Sequence, residues 1–165
     1  MIFKPAELKL VPLRDVPPGT LVEIANGDAS PPLAIRIVDG ANATHSSILR
    51  LGGERNAFSD KPWGVRDALA RVVCPADALR FRLGTQGKDE HLGLPGTLTL
   101  CEETAFITAD ASWEGEETAH LSVSDWRRWI VHPNRYPRAI YPEWKLGMFD
   151  HRGEFVSIYS HESAR

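Results

Sequence analysis

The sequence predicts an all-β protein: about ten short antiparallel strands in two similar five-stranded halves, of small-barrel or SH3-like type and possibly duplicated, with one short helix near residues 125–131. Two observations carry this. Short runs of alternating, β-branched character are separated throughout by Gly, Pro and Asn-Gly turn signals. The phrase Pro-Gly-Thr-Leu occurs twice, at residues 18–21 and 95–98.

In chain order, residues 7–13 form a loose edge strand bracketed by Pro5 and Pro12, since proline is tolerated at a sheet edge. Val16-Pro17-Pro18-Gly19 is a type II turn, with proline fixing the first corner and glycine supplying the second. Residues 20–25, 33–38 and 46–51 are strands, ended by Asn26-Gly27-Asp28, Asp39-Gly40 and Gly52-Gly53. Residues 54–66 read as a polar loop, and 68–73 are ambiguous between one helical turn and a strand. Residues 79–83 are a half-buried strand with Leu79, Phe81 and Leu83 on one face. Residues 97–101, 104–108 and 120–124 are further strands. Residues 145–149 and 154–160 form a hairpin around Asp150-His151-Arg152-Gly153, a type I turn with a bulge.

The halves align in order. Residues 18–21 match 95–98 at an offset of 77, 34–37 match 105–108 at 71, 44–48 match 119–123 at 75, and 73–81 match 149–157 at 76. The expected organisation is one compact unit, 1–165, with pseudo-repeats 1–83 and 95–165 joined by a Gly- and charge-rich loop at 84–94. Pro-Gly-Thr is also ordinary turn-then-strand chemistry, so the match can arise without duplication.

At 165 residues, 42% hydrophobic and 25% charged, the composition is that of a globular chain able to bury its own core. A net charge of −3 argues against whole-surface affinity for nucleic acid, not against a local basic patch. Arginine outnumbers lysine 14 to 5, which suits phosphate recognition and equally suits the codon bias of a GC-rich bacterial genome. Cys74 and Cys101 have no metal-ligand or disulfide spacing and read as free core thiols in a cytoplasmic protein. Neither a signal peptide nor a membrane span is expected.

The functional expectation rests on residues 125–144, Asp-Trp-Arg-Arg-Trp-Ile-Val-His-Pro-Asn-Arg-Tyr-Pro-Arg-Ala-Ile-Tyr-Pro-Glu-Trp. Ser122, three residues before Asp125, suggests a capping box and a short helix stopped by His132-Pro133, with Trp126, Trp129 and Ile130 on one face. From Trp126 to Lys145 the stretch is +4, while residues 102–118 hold six acids and no base. Trp, Tyr and Arg dominate binding hot spots. The candidate contact residues are therefore Trp126, Arg127, Arg128, Trp129, His132, Arg135, Tyr136, Arg138, Tyr141 and Trp144. The expected role is a non-enzymatic binding or adaptor protein engaging a protein partner or a second copy of itself, with no cofactor. A nucleic-acid-binding small barrel using the same stretch is the first alternative. The second is a hydrolase or metal enzyme lacking a linear motif. The plainer alternative has the tryptophans capping an otherwise open barrel and the arginines paired to the acidic loop.

No Gly-x-Ser-x-Gly, P-loop, dinucleotide fingerprint or His-Glu-x-x-His is present. His151 sits in a turn and His161 in the C-terminal tail. Asp89-Glu90-His91 are neighbours on a loop, unsuited to chelating one ion. His45 and His120 are pseudo-equivalent and could meet as ligands if the repeat holds. Glu102 and Glu103 point apart. His132 with Asp150 or Glu143 is the first place an active site would be sought.

Overall fold

The structure is a computed structural model describing residues 9–25, 32–38, 46–52, 59–62, 68–102, 104–111, 118–129 and 139–162. The fold is all-β. Among the described residues there are fourteen strands, two of them only two residues long, two 3-10 turns and no α-helix. The strands are β1 Val11–Pro12, β2 Leu21–Ala25, β3 Leu33–Val38, β4 Ser46–Arg50, β5 Ser59–Pro62, β6 Leu69–Cys74 and β7 Arg80–Leu83. They continue with β8 Leu98–Leu100, β9 Ala105–Asp110, β10 Thr118–Ser122, β11 Arg128–Trp129, β12 Ala139–Tyr141, β13 Trp144–Phe149 and β14 Phe155–His161.

They form three antiparallel sheets. The first runs β1-β6-β2-β3-β4-β5, the second β12-β8-β9-β10-β11, and the third β14-β13-β7. Among the described residues none of them closes into a barrel, so the small-barrel expectation is not met. The five strands β6-β2-β3-β4-β5 and β12-β8-β9-β10-β11 follow the same order. Two parallel bridges join the first two sheets reciprocally: Ser59 to Asp110, and Val38 to Arg127.

The two Pro-Gly-Thr-Leu turns have matching hydrogen bonds. Gly19 N–H donates to Arg36 O at 2.7 Å and Gly96 N–H to Thr108 O at 2.8 Å; Arg36 and Thr108 N–H return bonds to Thr20 O and Thr97 O, both at 3.0 Å. These contacts place Arg36 opposite Thr108, an offset of 72 where the sequence alignment reads 71. Leu51 N–H to Leu33 O and Val123 N–H to Ala105 O extend the same offset into β4 and β10, correcting 75. The alignment at 76 fails: β6 and β12 hold the same place in the strand order, beside β2 and β8.

Other expectations are corrected. Residues 125–131 contain no helix where they are described. Ser122 ends β10 rather than capping, its N–H donating to Arg127 O at 2.9 Å, so the chain turns tightly into β11. Asp125 Oδ1 accepts from Arg127 N–H at 3.3 Å, and Trp126 is left-handed at φ 55°. The expected polar loop 54–66 contains β5, and residues 68–73 resolve as strand. The loop 84–94 is no free linker: Gly84 N–H donates to Glu143 O at 2.9 Å and Gly87 N–H to Ile140 O at 2.7 Å. The β13–β14 hairpin forms as expected, with Gly153 N–H to Asp150 O at 3.0 Å and Asp150 Oδ1 accepting from Arg152 and Glu154 N–H at 2.8 and 2.9 Å.

The main core joins both halves, with Leu21, Ile35, Leu49, Leu98, Ile107, Leu121, Trp126, Trp144 and Leu146 buried together. Through it runs a row of rings. Trp126 stacks on Phe81 at 6.3 Å, Phe81 meets Trp144 at 5.2 Å, and Trp144 meets His161 at 5.6 Å between centroids. The row ends on the two glycines. A Cβ at Gly19 would sit 2.3 Å from Trp126 Nε1, and one at Gly96 would sit 2.2 Å from the His161 ring. Trp144 Nε1–H also donates to Gly96 O at 2.9 Å. A second, smaller core packs the 3-10 turn Leu13–Asp15 and Val16 against Val22, Ile24, Ala34 and Ile48.

Gly96→Ala and Gly93→Ala separate ring seating from backbone strain. Both glycines are left-handed, at φ 88° and 80°, but a Cβ at Gly93 meets nothing within 4 Å. Strain alone makes Gly93→Ala cost about 1–2 kcal/mol; overpacking against His161 adds roughly 1–3 kcal/mol at Gly96. Urea unfolding midpoints should show Gly96→Ala clearly the less stable.

Candidate functional site

Burial redistributes the predicted contact residues. Trp126 and Trp144 are 8% and 1% exposed, so both are core rings and neither is a surface anchor, which corrects their assignment. Each is held there by a glycine seat or by its own indole N–H bond. Tyr141 is half-buried, pairs with Leu98 and packs on the main core. Arg127 is exposed and lies 4.0 Å from the exposed Asp125 carboxylate. Arg128 is half-buried in β11, and Trp129 pairs with His120 in the β10–β11 ladder. His132, Arg135, Tyr136 and Arg138 lie outside the described residues, as do His45 and Glu103.

The described basic-aromatic surface lies instead on the third sheet. Strand alternation puts Trp144, Leu146 and Met148 of β13 inward, leaving Lys145, Gly147 and Phe149 outward. Lys145 pairs laterally with Arg82 on β7 and Ser160 on β14; Gly147 pairs with Arg80 and Ser157; Phe149 pairs with Phe155. The outer face therefore carries Arg80, Arg82 and Lys145 in adjacent positions, with two phenylalanines beside them. None of the three cations has a carboxylate within 4 Å among the described residues.

Gly147 is what allows this face to form. An ideal Cβ there would meet the Val156 carbonyl oxygen at 2.1 Å and Phe155 Cζ at 2.8 Å, so both the backbone of β14 and the Phe155 ring approach the glycine too closely for a side chain. The Arg82 guanidinium sits 4.4 Å from the centroid of that ring, and Phe149 meets it edge-on at 6.0 Å and 76°. Phe149 is 53% exposed. The Arg80 guanidinium donates through Nη1 to the carbonyls of Asp77 and Leu79 at 2.6 and 2.8 Å, which holds the head group against the turn before β7. Of the flanking acids, Asp150 is turned onto backbone amides in the hairpin, while Glu143 and Glu162 border the Arg82 and Lys145 end of the face.

One end of the face opens into a cavity of about 160 Å³ lined by Arg82, Glu143, Lys145, Ser160, His161 and Glu162, among others. His161 is 5% exposed, and burial pulls its pKa down to about 4. The ring is neutral near pH 7, a poor fit to a general base working at that pH. Burial also raises the thiols of Cys74 and Cys101; Asp77 adds to the shift at Cys74 and Arg80 opposes it. Among the described residues no group of three or more His, Cys, Asp or Glu side chains could hold a metal ion, and no helix is long and apolar enough to cross a membrane.

No protein-family model, curated protein or solved structure matches the chain.

Two residues of this surface had sequence signals of their own. The alternation that places Leu79, Phe81 and Leu83 on one face places Arg80 and Arg82 on the other. The pairing of that strand with β13, more than sixty residues later, has no local signal.

His161 gives the fold a pH dependence with a defined sign. Its folded pKa lies below the unfolded value of 6.5, so the unfolded chain takes up the proton first. Its contribution to stability is complete above pH 6.5 and is lost as pH falls towards 4, on the order of 3 kcal/mol in all. The loss in urea midpoint between pH 7 and 5 should be smaller in His161→Phe than in the parent.

Proposed function

We propose that the protein is a non-enzymatic binding protein, built of two copies of one five-stranded β unit, whose contact surface is the outer face of the sheet that joins them. The shared strand order, the paired turn hydrogen bonds and the two reciprocal bridges support the duplicated architecture. Reciprocity is what an isologous, two-fold interface requires. The third sheet takes β7 from the first half and β13 from the second, so its surface exists only when the halves are joined.

The observation that carries the binding role is the Arg82 guanidinium over the Phe155 ring, beside Gly147 and flanked by Arg80 and Lys145. Three neighbouring cations, none with a carboxylate within 4 Å among the described residues, raise the local positive potential on a chain whose net charge is −3, with Glu143 and Glu162 bordering them only at the cavity end. The partner that complements them is anionic. Residues 126–144, expected to form the contact, contribute Trp144 to the core beneath this face rather than to the face itself.

Heparin serves as a generic polyanion to test the surface. The parent protein should bind it, more weakly as salt rises, with a log–log slope of about −2 to −3 if each cation replaces one condensed counterion. Arg82→Glu combined with Lys145→Glu should lower affinity at least tenfold, while Arg14→Glu, at a distant exposed site, leaves it unchanged. Equal binding by the double variant and the parent would overturn the assignment.

A further inference from the structure

We infer that the anionic partner is a single-stranded nucleic acid, its phosphates on Arg80, Arg82 and Lys145 and its bases stacked on Phe155 and Phe149. This rests on the reading of the outer face of the third sheet as the contact surface. It adds the chemical class of what binds there.

Charge alone does not select among polyanions; the rings do. Phe149 exposes about half its surface beside the charged rows, and Phe155 touches the Gly147 position through Cζ and takes the Arg82 guanidinium against one ring face. An acidic peptide or a sulfated sugar would satisfy the three cations but leave the phenylalanines without a partner. A duplex hides its base faces in its own stack. A single strand supplies phosphates and planar π-faces in alternation, and base–aromatic stacking is indifferent to sequence. Outward positions along one strand repeat at about 6.7 Å and neighbouring strands lie about 4.8 Å apart, so cations and rings fall within the reach of a few nucleotides. The Arg82, Lys145 and Ser160 end of the face borders the cavity beside His161, whose wall also carries Glu143 and Glu162, so the strand's phosphates rest on the cations at its rim rather than inside it. The hydroxyl of Ser160 and the two cations there are donors suited to phosphate oxygens.

The test measures fluorescence anisotropy of a labelled oligothymidylate of about twelve nucleotides. Heparin, a duplex of equal length and poly-glutamate serve as competitors. The parent should bind the single strand in preference to all three. Phe149→Ala, at an exposed position that leaves the core intact, should weaken oligothymidylate binding roughly fivefold or more while leaving heparin affinity unchanged. Phe155→Leu, which still covers Gly147, should do the same; thermal unfolding checks its integrity, and Phe149→Ala decides the matter if it fails to fold. Oligothymidylate binding that is insensitive to Phe149, or that heparin or poly-glutamate outcompetes at equal charge, would overturn this inference and leave the anionic surface standing. Absence of binding to oligothymidylate and heparin alike would overturn both.

Discussion

A row of four rings, Trp126, Phe81, Trp144 and His161, is the element on which the rest of the structure depends. Its two ends rest on glycines of identical turns, Gly19 and Gly96, where no side chain larger than hydrogen fits beneath the ring. The row crosses from one half of the molecule to the other, so it fixes how the first two sheets sit. Trp144 does three things at once: it donates to Gly96, fills the core and begins β13. The outer face of the third sheet is the other side of this packing, since each residue turned in on β13 sends its neighbour out.

The glycines therefore explain the repeated phrase better than turn chemistry does. A type II turn needs glycine for its dihedral angles, and in both copies the same glycine is also a seat for an aromatic ring. The two seats are filled differently. Trp126 reaches Gly19 from the turn after β10, whereas His161 reaches Gly96 from the end of β14. The halves share a frame and differ in what closes it.

Much of the fold was legible from local pattern. The all-β class, β3, the β13–β14 hairpin and both Pro-Gly turns follow from alternation and turn residues. The helix at 125–131 did not survive because Trp126 and its neighbours offered helical spacing while the pull on Trp126 was tertiary: burial over Gly19 holds it left-handed, a conformation no helix contains. The same burial misdirected the site. Trp126 and Trp144 sit among arginines in sequence, and proximity to charge read as exposure. Strand alternation separates such neighbours onto opposite faces, so a tryptophan beside a lysine, as in Trp144-Lys145, can be core and surface in succession. What no local rule supplies is that Lys145 pairs with Arg82.

The third sheet is also where the two-fold correspondence stops. β7 and β13 meet as one strand from each half, but β14 lies beside β13 with no described strand in the matching place beside β7. That extra strand supplies Phe155, which covers Gly147 and receives Arg82, and Ser160 and His161, which line the cavity. β7 and β13 alone would offer a narrow two-stranded ladder with cations and without Phe155. Adding one strand on one side widens the ladder and breaks the symmetry. It leaves β7 as an edge whose Arg82 is held against the Phe155 ring. The two sheets of like strand order build the seam, and the strand without a counterpart gives the seam a direction. An extended partner lying across it would therefore meet charge and cavity at one end and aromatic surface at the other.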